Sequence, residues 1–196
     1  MQRTQSAWTT ILIWGLALTA VLAVGAFVGE GASGTCMFIL MPYFAGLAAT
    51  MPILKIRRFG AGIGTYIPYA VLGFVPLFMF DWMQSHALRG LWAVFAWCAT
   101  GPFIGLCADA AWGLSAKLHD RSRAILVGAV LQAVTFAVIL LGLALLYVDP
   151  SAGDSHARLF DTKWFFTAPW MALNGAFGGF TAYAIRREID LRGGRK

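Results

Sequence analysis

One carboxylate, Asp109, interrupts the apolar stretch Gly101–Ala116, read GPFIGLCADAAWGLSA. An unpaired charge in hydrocarbon costs at least about 3 kcal/mol, so an acid there must face other helices, carry a proton or meet a donor. Counting about 1.5 Å per helical residue from Leu91 places Asp109 about 27 Å along its run. Gln132 in the next, antiparallel run and Tyr66 in the preceding one come out at nearly the same depth. The spacing predicts a hydrogen-bonded layer of Asp109, Gln132 and Tyr66, acting either as glue between helices or as a gate whose carboxylate changes protonation.

A second group could hold a ligand. Trp170 and Asn174 are one helical turn apart, an indole and an amide able to grip a small ring. Trp164 and Trp82 fall near the same end of their runs, and Glu30 and Asp81 lie in the connections there. Acids beside aromatic faces suit a cationic ring through carboxylate pairing and cation–π contact. Enzyme chemistry is poorly supplied. The GASG around Ser33 resembles the nucleophile motif of rhomboid intramembrane proteases, but it sits at a loop edge and no helix core carries a histidine to act as base. His86, His119 and His156 all fall in connections, which removes helix-borne haem or zinc ligands. Cys36, Cys98 and Cys107 have no metal or redox spacing. The expectation is a protein that is not an enzyme and carries no metal or cofactor.

The elements that must position these residues follow from composition. Hydrophobic residues make up 59% of the 196 and charged ones 12%, with mean hydropathy +0.71. That leaves too little polar surface to coat a soluble globule, so the solvent is expected to be lipid. A helix needs roughly 20 apolar residues to cross a bilayer. Six runs approach that length: Trp8–Val28, Thr35–Leu54, Phe59–Phe80, Leu91–Ala116, Ala124–Val148 and Trp164–Ile185. The first is too long for a secretory signal and reads as a span. The predicted fold is all-α, a polytopic bundle of six transmembrane helices forming a single domain over residues 1–196.

Charge orients that bundle. Twelve of the fifteen Lys and Arg fall at the amino terminus, around Lys55–Arg58, in Lys117–Arg123 and in the tail from Arg186 onward; the other three are Arg89, Arg158 and Lys163. The positive-inside rule then puts both termini in the cytoplasm of a multi-pass protein of the cell (inner) membrane. The basic pI near 9.6 is thereby a matter of topology and of contact with anionic membrane lipid, not of nucleic acid.

Small residues mark the seams. Gly15, Thr19 and Ala23 recur every four residues in the first run, Gly60 and Gly64 open the third in GxxxG spacing, and Ala168, Ala172 and Ala176 repeat in the last beside Gly175 and Gly179. Pro68 and Pro76 are expected to bend or unwind the third run. Val94, Cys98, Gly101, Gly105 and Asp109 share one face of the fourth.

Six short spans rich in small residues resemble the S components, the substrate-binding membrane subunits, of energy-coupling factor transporters. Gly105-Leu-Cys-Ala-Asp-Ala110 resembles a Gly-Leu-Gly-Ala-acid-Ala segment of the hydroxymethylpyrimidine/thiamine type, and Asn174-Gly-Ala-Phe-Gly-Gly-Phe-Thr-Ala-Tyr-Ala-Ile185 resembles the last helix of that family. The basic turn before Gly60 and Ala61 is also similar. The first-span Ala-x-x-x-Ala surface of many S components is here Gly15-Thr19-Ala23. The resemblance implies uptake of a vitamin-like small-molecule substrate such as thiamine, with a separate transmembrane coupling subunit and two ATPase subunits as partners. The rival expectation is a structural or accessory subunit of a larger membrane complex, with no small-molecule substrate.

Overall fold

The computed structural model describes residues 2–29, 35–72, 88–146 and 162–193. They form six helices and, among the described residues, no strand: α1 (Gln2–Gly29), α2 (Thr35–Ile56), α3 (Ala61–Leu72), α4 (Leu88–Leu114), α5 (Asp120–Leu146) and α6 (Thr162–Gly193). The expected all-α bundle is therefore present. Among the described residues one stretch, Asp120–Val138, is long and apolar enough to cross a membrane, while Ser6–Leu22, Leu40–Ile56 and Ala61–Leu72 are apolar over shorter lengths.

The basic segments converge on one end. Arg57, in the link from α2 to α3, pairs with Asp120 at the start of α5 at 2.6 Å. Lys55 donates from Nζ to Thr10 Oγ1 of α1 at 2.8 Å. The α4–α5 link and the last third of α6 wall a common cleft. Successive helices thus run alternately toward and away from this basic end.

At the centre lies α6, packed along both α2 and α5. Its closest approaches fall at Gly175, Gly178 and Gly179, two of them the glycines that the sequence sets beside the alanine series. A side chain at Gly175 would collide with the carbonyl of Gly128 on α5, and one at Gly46 on α2 would come within 2.9 Å of the carbonyl of Gly175. Glycine at 175 therefore lets three backbones meet at one level. Tyr43 of α2 adds a bond from its hydroxyl to Thr181 Oγ1 at 3.1 Å.

The Gly15 seam turns inward as well. It receives the ring of Pro68, whose Cγ would lie 2.7 Å from a Cβ at position 15. Helix α3 continues through Pro68, so the expected unwinding does not occur there: the ring fits into the groove on α1 instead of breaking the helix. Pro76 lies outside the described residues.

The core holds large apolar side chains, Leu18, Ile53, Val127 and Leu131 fully buried, among many small ones, while many other large apolar side chains face outward. Alanines 45, 48, 49, 61, 108, 111, 124 and 182 are buried, together with Thr50, Thr65, Asp109, Ser115 and Gln132. On the surface stand Trp8, Leu12, Leu40, Phe44, Ile67, Phe103, Trp170 and Phe177. The buried hydroxyls of Thr65 and Ser115 bond back to Ala61 and Ala111, one turn earlier, at 2.7 and 2.6 Å, so they need no partner on another helix.

Gly175→Ala is expected to force α5 and α6 apart and lower stability by about 1–3 kcal/mol. Gly113, with open space around it, is the control: Gly113→Ala should leave stability unchanged or raise it by up to about 1 kcal/mol through helix propensity. Thermal unfolding of the two purified variants, followed by circular dichroism, checks both signs.

Candidate functional site

The start of α3 is a helix terminus without a local cap. Helix N-termini leave backbone N–H groups unpaired, and a Ser, Thr, Asp or Asn just before the first turn usually meets them. Here the chain reads Arg57-Arg58-Phe59-Gly60, none of which offers a side-chain acceptor. Asp109, almost half a hundred residues further on, supplies it. Its Oδ1 accepts from Gly62 N–H at 2.9 Å, and its Oδ2 from Gly60 N–H at 3.0 Å and Ile63 N–H at 3.1 Å. The accounts then balance: Ala61 N–H bonds to Arg58 O at 3.3 Å, and Gly64 N–H makes the first intrahelical bond, to Gly60 O, at 2.9 Å.

Three glycines make this contact geometrically available. Gly60 has φ +95°, a left-handed backbone that turns the chain into the helix and that side-chain-bearing residues rarely adopt. Gly62 and Gly105 let α3 and α4 touch backbone to backbone, since a Cβ at 62 would sit 2.6 Å from Gly105 O and 3.0 Å from Asp109 Oδ1. Gly105 lies one turn before Asp109, so the residue that permits the approach and the residue that uses it share a face of α4. The carboxylate also meets the positive end of the α3 dipole, which favours a negative group there.

This arrangement replaces the expected layer. Asp109, Gln132 and Tyr66 are all buried, at 2%, 2% and 3% exposure. The hydrogen bonds of Asp109 nevertheless run to backbone N–H groups on α3 and the turn before it. Gln132 presses its stem over Gly175 of α6, and the ring of Tyr66 lies against Gly101 of α4. Burial of all three does not make them partners, because position along a helix says nothing of the direction in which its side chain faces.

Among the ligand candidates, Asn174 donates from Nδ2 to its own helix, to Trp170 O at 2.9 Å, and Trp170 is 46% exposed. The two residues are thus joined, on the outer flank of α6. Trp164 lies in the first turn of α6, with its side chain outside the described residues. Glu30, Asp81 and Trp82, like Ser33, His86 and His156, lie outside the described residues. No three His, Cys, Asp or Glu side chains gather into a metal-binding group among the described residues.

A feature that sequence reasoning missed is a clasp at the basic end. Asp120 is shared by Arg57 at 2.6 Å and Arg123 at 3.5 Å, and Arg123 lies over the Trp112 ring at 3.5 Å while donating to Trp112 O at 2.7 Å. It ties the α2–α3 link to the junction of α4 and α5. The spacing of Trp112 and Arg123, astride a short turn, was its one visible signal.

Neither a protein-family model, nor a curated protein, nor a solved structure matches the chain.

Asp109→Ala is expected to cost about 2 kcal/mol of stability, because the N–H groups of Gly60, Gly62 and Ile63 lose their acceptor. Asp109→Asn keeps one acceptor oxygen and should lose roughly half as much. Unfolding midpoints of the two variants against the parent protein give the comparison; equal stability of all three would show that the bonds contribute nothing.

Proposed function

We propose that this chain spans the membrane six times, with its basic end in the cytoplasm, and serves as the substrate-binding membrane subunit of a vitamin or small-metabolite importer of the energy-coupling factor type. What supports membrane placement is the outer face: Trp8, Leu12, Ile13, Phe44, Val71, Phe103, Leu141 and Phe177 stand exposed, around a core in which Leu18, Ile53 and Leu131 share the interior with many glycine, alanine and hydroxyl residues. In water such a surface would aggregate, whereas in lipid it is simply solvated and small residues drive helices together.

The observation that carries the importer reading is where the bundle is cinched. The backbone contacts at Gly62 with Gly105 and at Gly175 with Gly46 and Gly128 fall at mid-depth or toward the basic end. Together with the Asp120 clasp they draw the helices together toward the basic end, which supports a protein that would take its substrate from the opposite side. A cationic ring such as thiamine would be held by Trp164, Trp170, Asn174 and Trp82 beside Asp81 and Glu30. The energising module, a coupling subunit with two ATPases, would be separate chains. In this reading Asp109 sets the geometry of the α3–α4 crossing and does not touch substrate.

A second reading, a structural or accessory subunit, is favoured by one observation: Asn174 spends its amide on its own helix, and Trp170 stands on an apolar flank with Leu173 and Phe177 that a partner helix could cover.

Titration of the detergent-purified protein with thiamine, read by tryptophan fluorescence, separates the two. The importer reading expects saturable binding that Trp170→Ala weakens about tenfold without moving the unfolding midpoint. No saturable binding of thiamine or its pyrimidine moiety, together with co-purification of a partner at fixed stoichiometry, would establish the second reading.

A further inference from the structure

The basic end carries a cleft of about 730 Å³ between the α4–α5 link, the start of α5 and the last third of α6. We propose that this cleft binds the phosphate headgroup of an anionic phospholipid, a site that rests on the membrane placement proposed above.

Its walls include His119, Arg121, Phe180, Tyr183, Arg187 and Leu191. The cleft also contains two acids, Asp120 and Glu188, but both are already engaged. Asp120 is held by Arg57 and Arg123, and Glu188 by Arg192 at 2.8 Å. Arg121 has its guanidinium carbon 5.0 Å from the centre of the Phe180 ring, and neither it nor Arg187 has an acid partner among the described residues. Two uncompensated guanidinium groups on facing walls are suited to a phosphate, which each can bind through paired N–H donors.

The apolar neighbourhood chooses a lipid over a soluble phosphate. Phe180 belongs both to the cleft and to an exposed strip on α6 with Phe177, Leu173 and Trp170, leading away from the basic end. Leu118 in turn borders both the cleft and a second hollow of about 610 Å³ between α4 and α5, walled by Leu114, Leu126, Val130 and Val134. An amphiphile with its phosphate between Arg121 and Arg187 therefore finds greasy surface for acyl chains directly below. The arginines stand where the headgroups of a cytoplasmic leaflet would lie, at the start of the apolar stretch Asp120–Val138. Anchored there, such a lipid would brace α6 against the α4–α5 link.

The test begins with cell fractionation, then takes the protein from the membrane fraction in neutral detergent and counts bound lipid by native mass spectrometry. Dioctanoyl phosphatidylglycerol and dioctanoyl phosphatidylcholine are the probes. Expected are selective retention of phosphatidylglycerol, about a tenfold weakening in the Arg121→Gln/Arg187→Gln double variant, and no change in Arg58→Gln, an exposed arginine at the same end outside the cleft. Inorganic phosphate at the same concentration should not displace the lipid. Recovery of the protein in the soluble fraction would overturn the membrane placement and this site with it. Recovery from membranes with equal retention of both lipids, with unchanged retention in the double variant, or with equal loss in Arg58→Gln would overturn the site alone. Displacement by inorganic phosphate would make the ligand a soluble anion instead.

Discussion

A carboxylate held against the first N–H groups of a neighbouring helix is the constraint from which the arrangement of this bundle follows. Asp109 can accept from Gly60, Gly62 and Ile63 only if α3 begins beside it, and α3 can begin there only if neither helix carries a side chain at the crossing. Glycine at 62 and 105 and an acid at 109 are one device in three positions. Buried between helices, the alternative is several unpaired backbone donors and an unpaired carboxylate, each costly on its own.

Other contacts build outward from that junction. With α3 fixed on α4, its Pro68 ring meets Gly15 and brings in α1, and the short link back to α2 carries Arg57 to Asp120. Helix α6 enters from the other side, where glycine at 46, 128 and 175 lets it lie between α2 and α5. The outcome, among the described residues, is a bundle whose helices meet through close backbone approach at glycines. Such packing is sensitive to single methyl groups and indifferent to many changes on the outer face.

Helix number and approximate bounds were legible because apolar run length and charge punctuation report directly on them: the turns at Arg57–Gly60 and Ser115–His119 fall where the basic clusters stand. The importance of Asp109 was legible too, since an acid in such a run demands a partner. Its partner was not. Side-chain patterns point to other side chains, here Gln132 and Tyr66, whereas backbone N–H groups occur at nearly every residue and leave no mark in composition. The only trace was negative, a helix start at Gly60 with no capping residue. For Trp170 and Asn174 helical spacing put the pair on one flank but did not say which. At about 100° per residue Trp170 falls opposite Gly179, so the glycines of α6, taken as the buried side, would have turned the indole outward.

The most direct check is amide hydrogen exchange of the purified protein at Gly62 and Ile63. These N–H groups stand at the very start of a helix, where exchange is ordinarily fast because nothing within the helix receives them. With Asp109 as acceptor they should be protected to the same degree as the interior of α3. Exchange at the rate of an open turn, while the rest of α3 stays protected, would contradict the account.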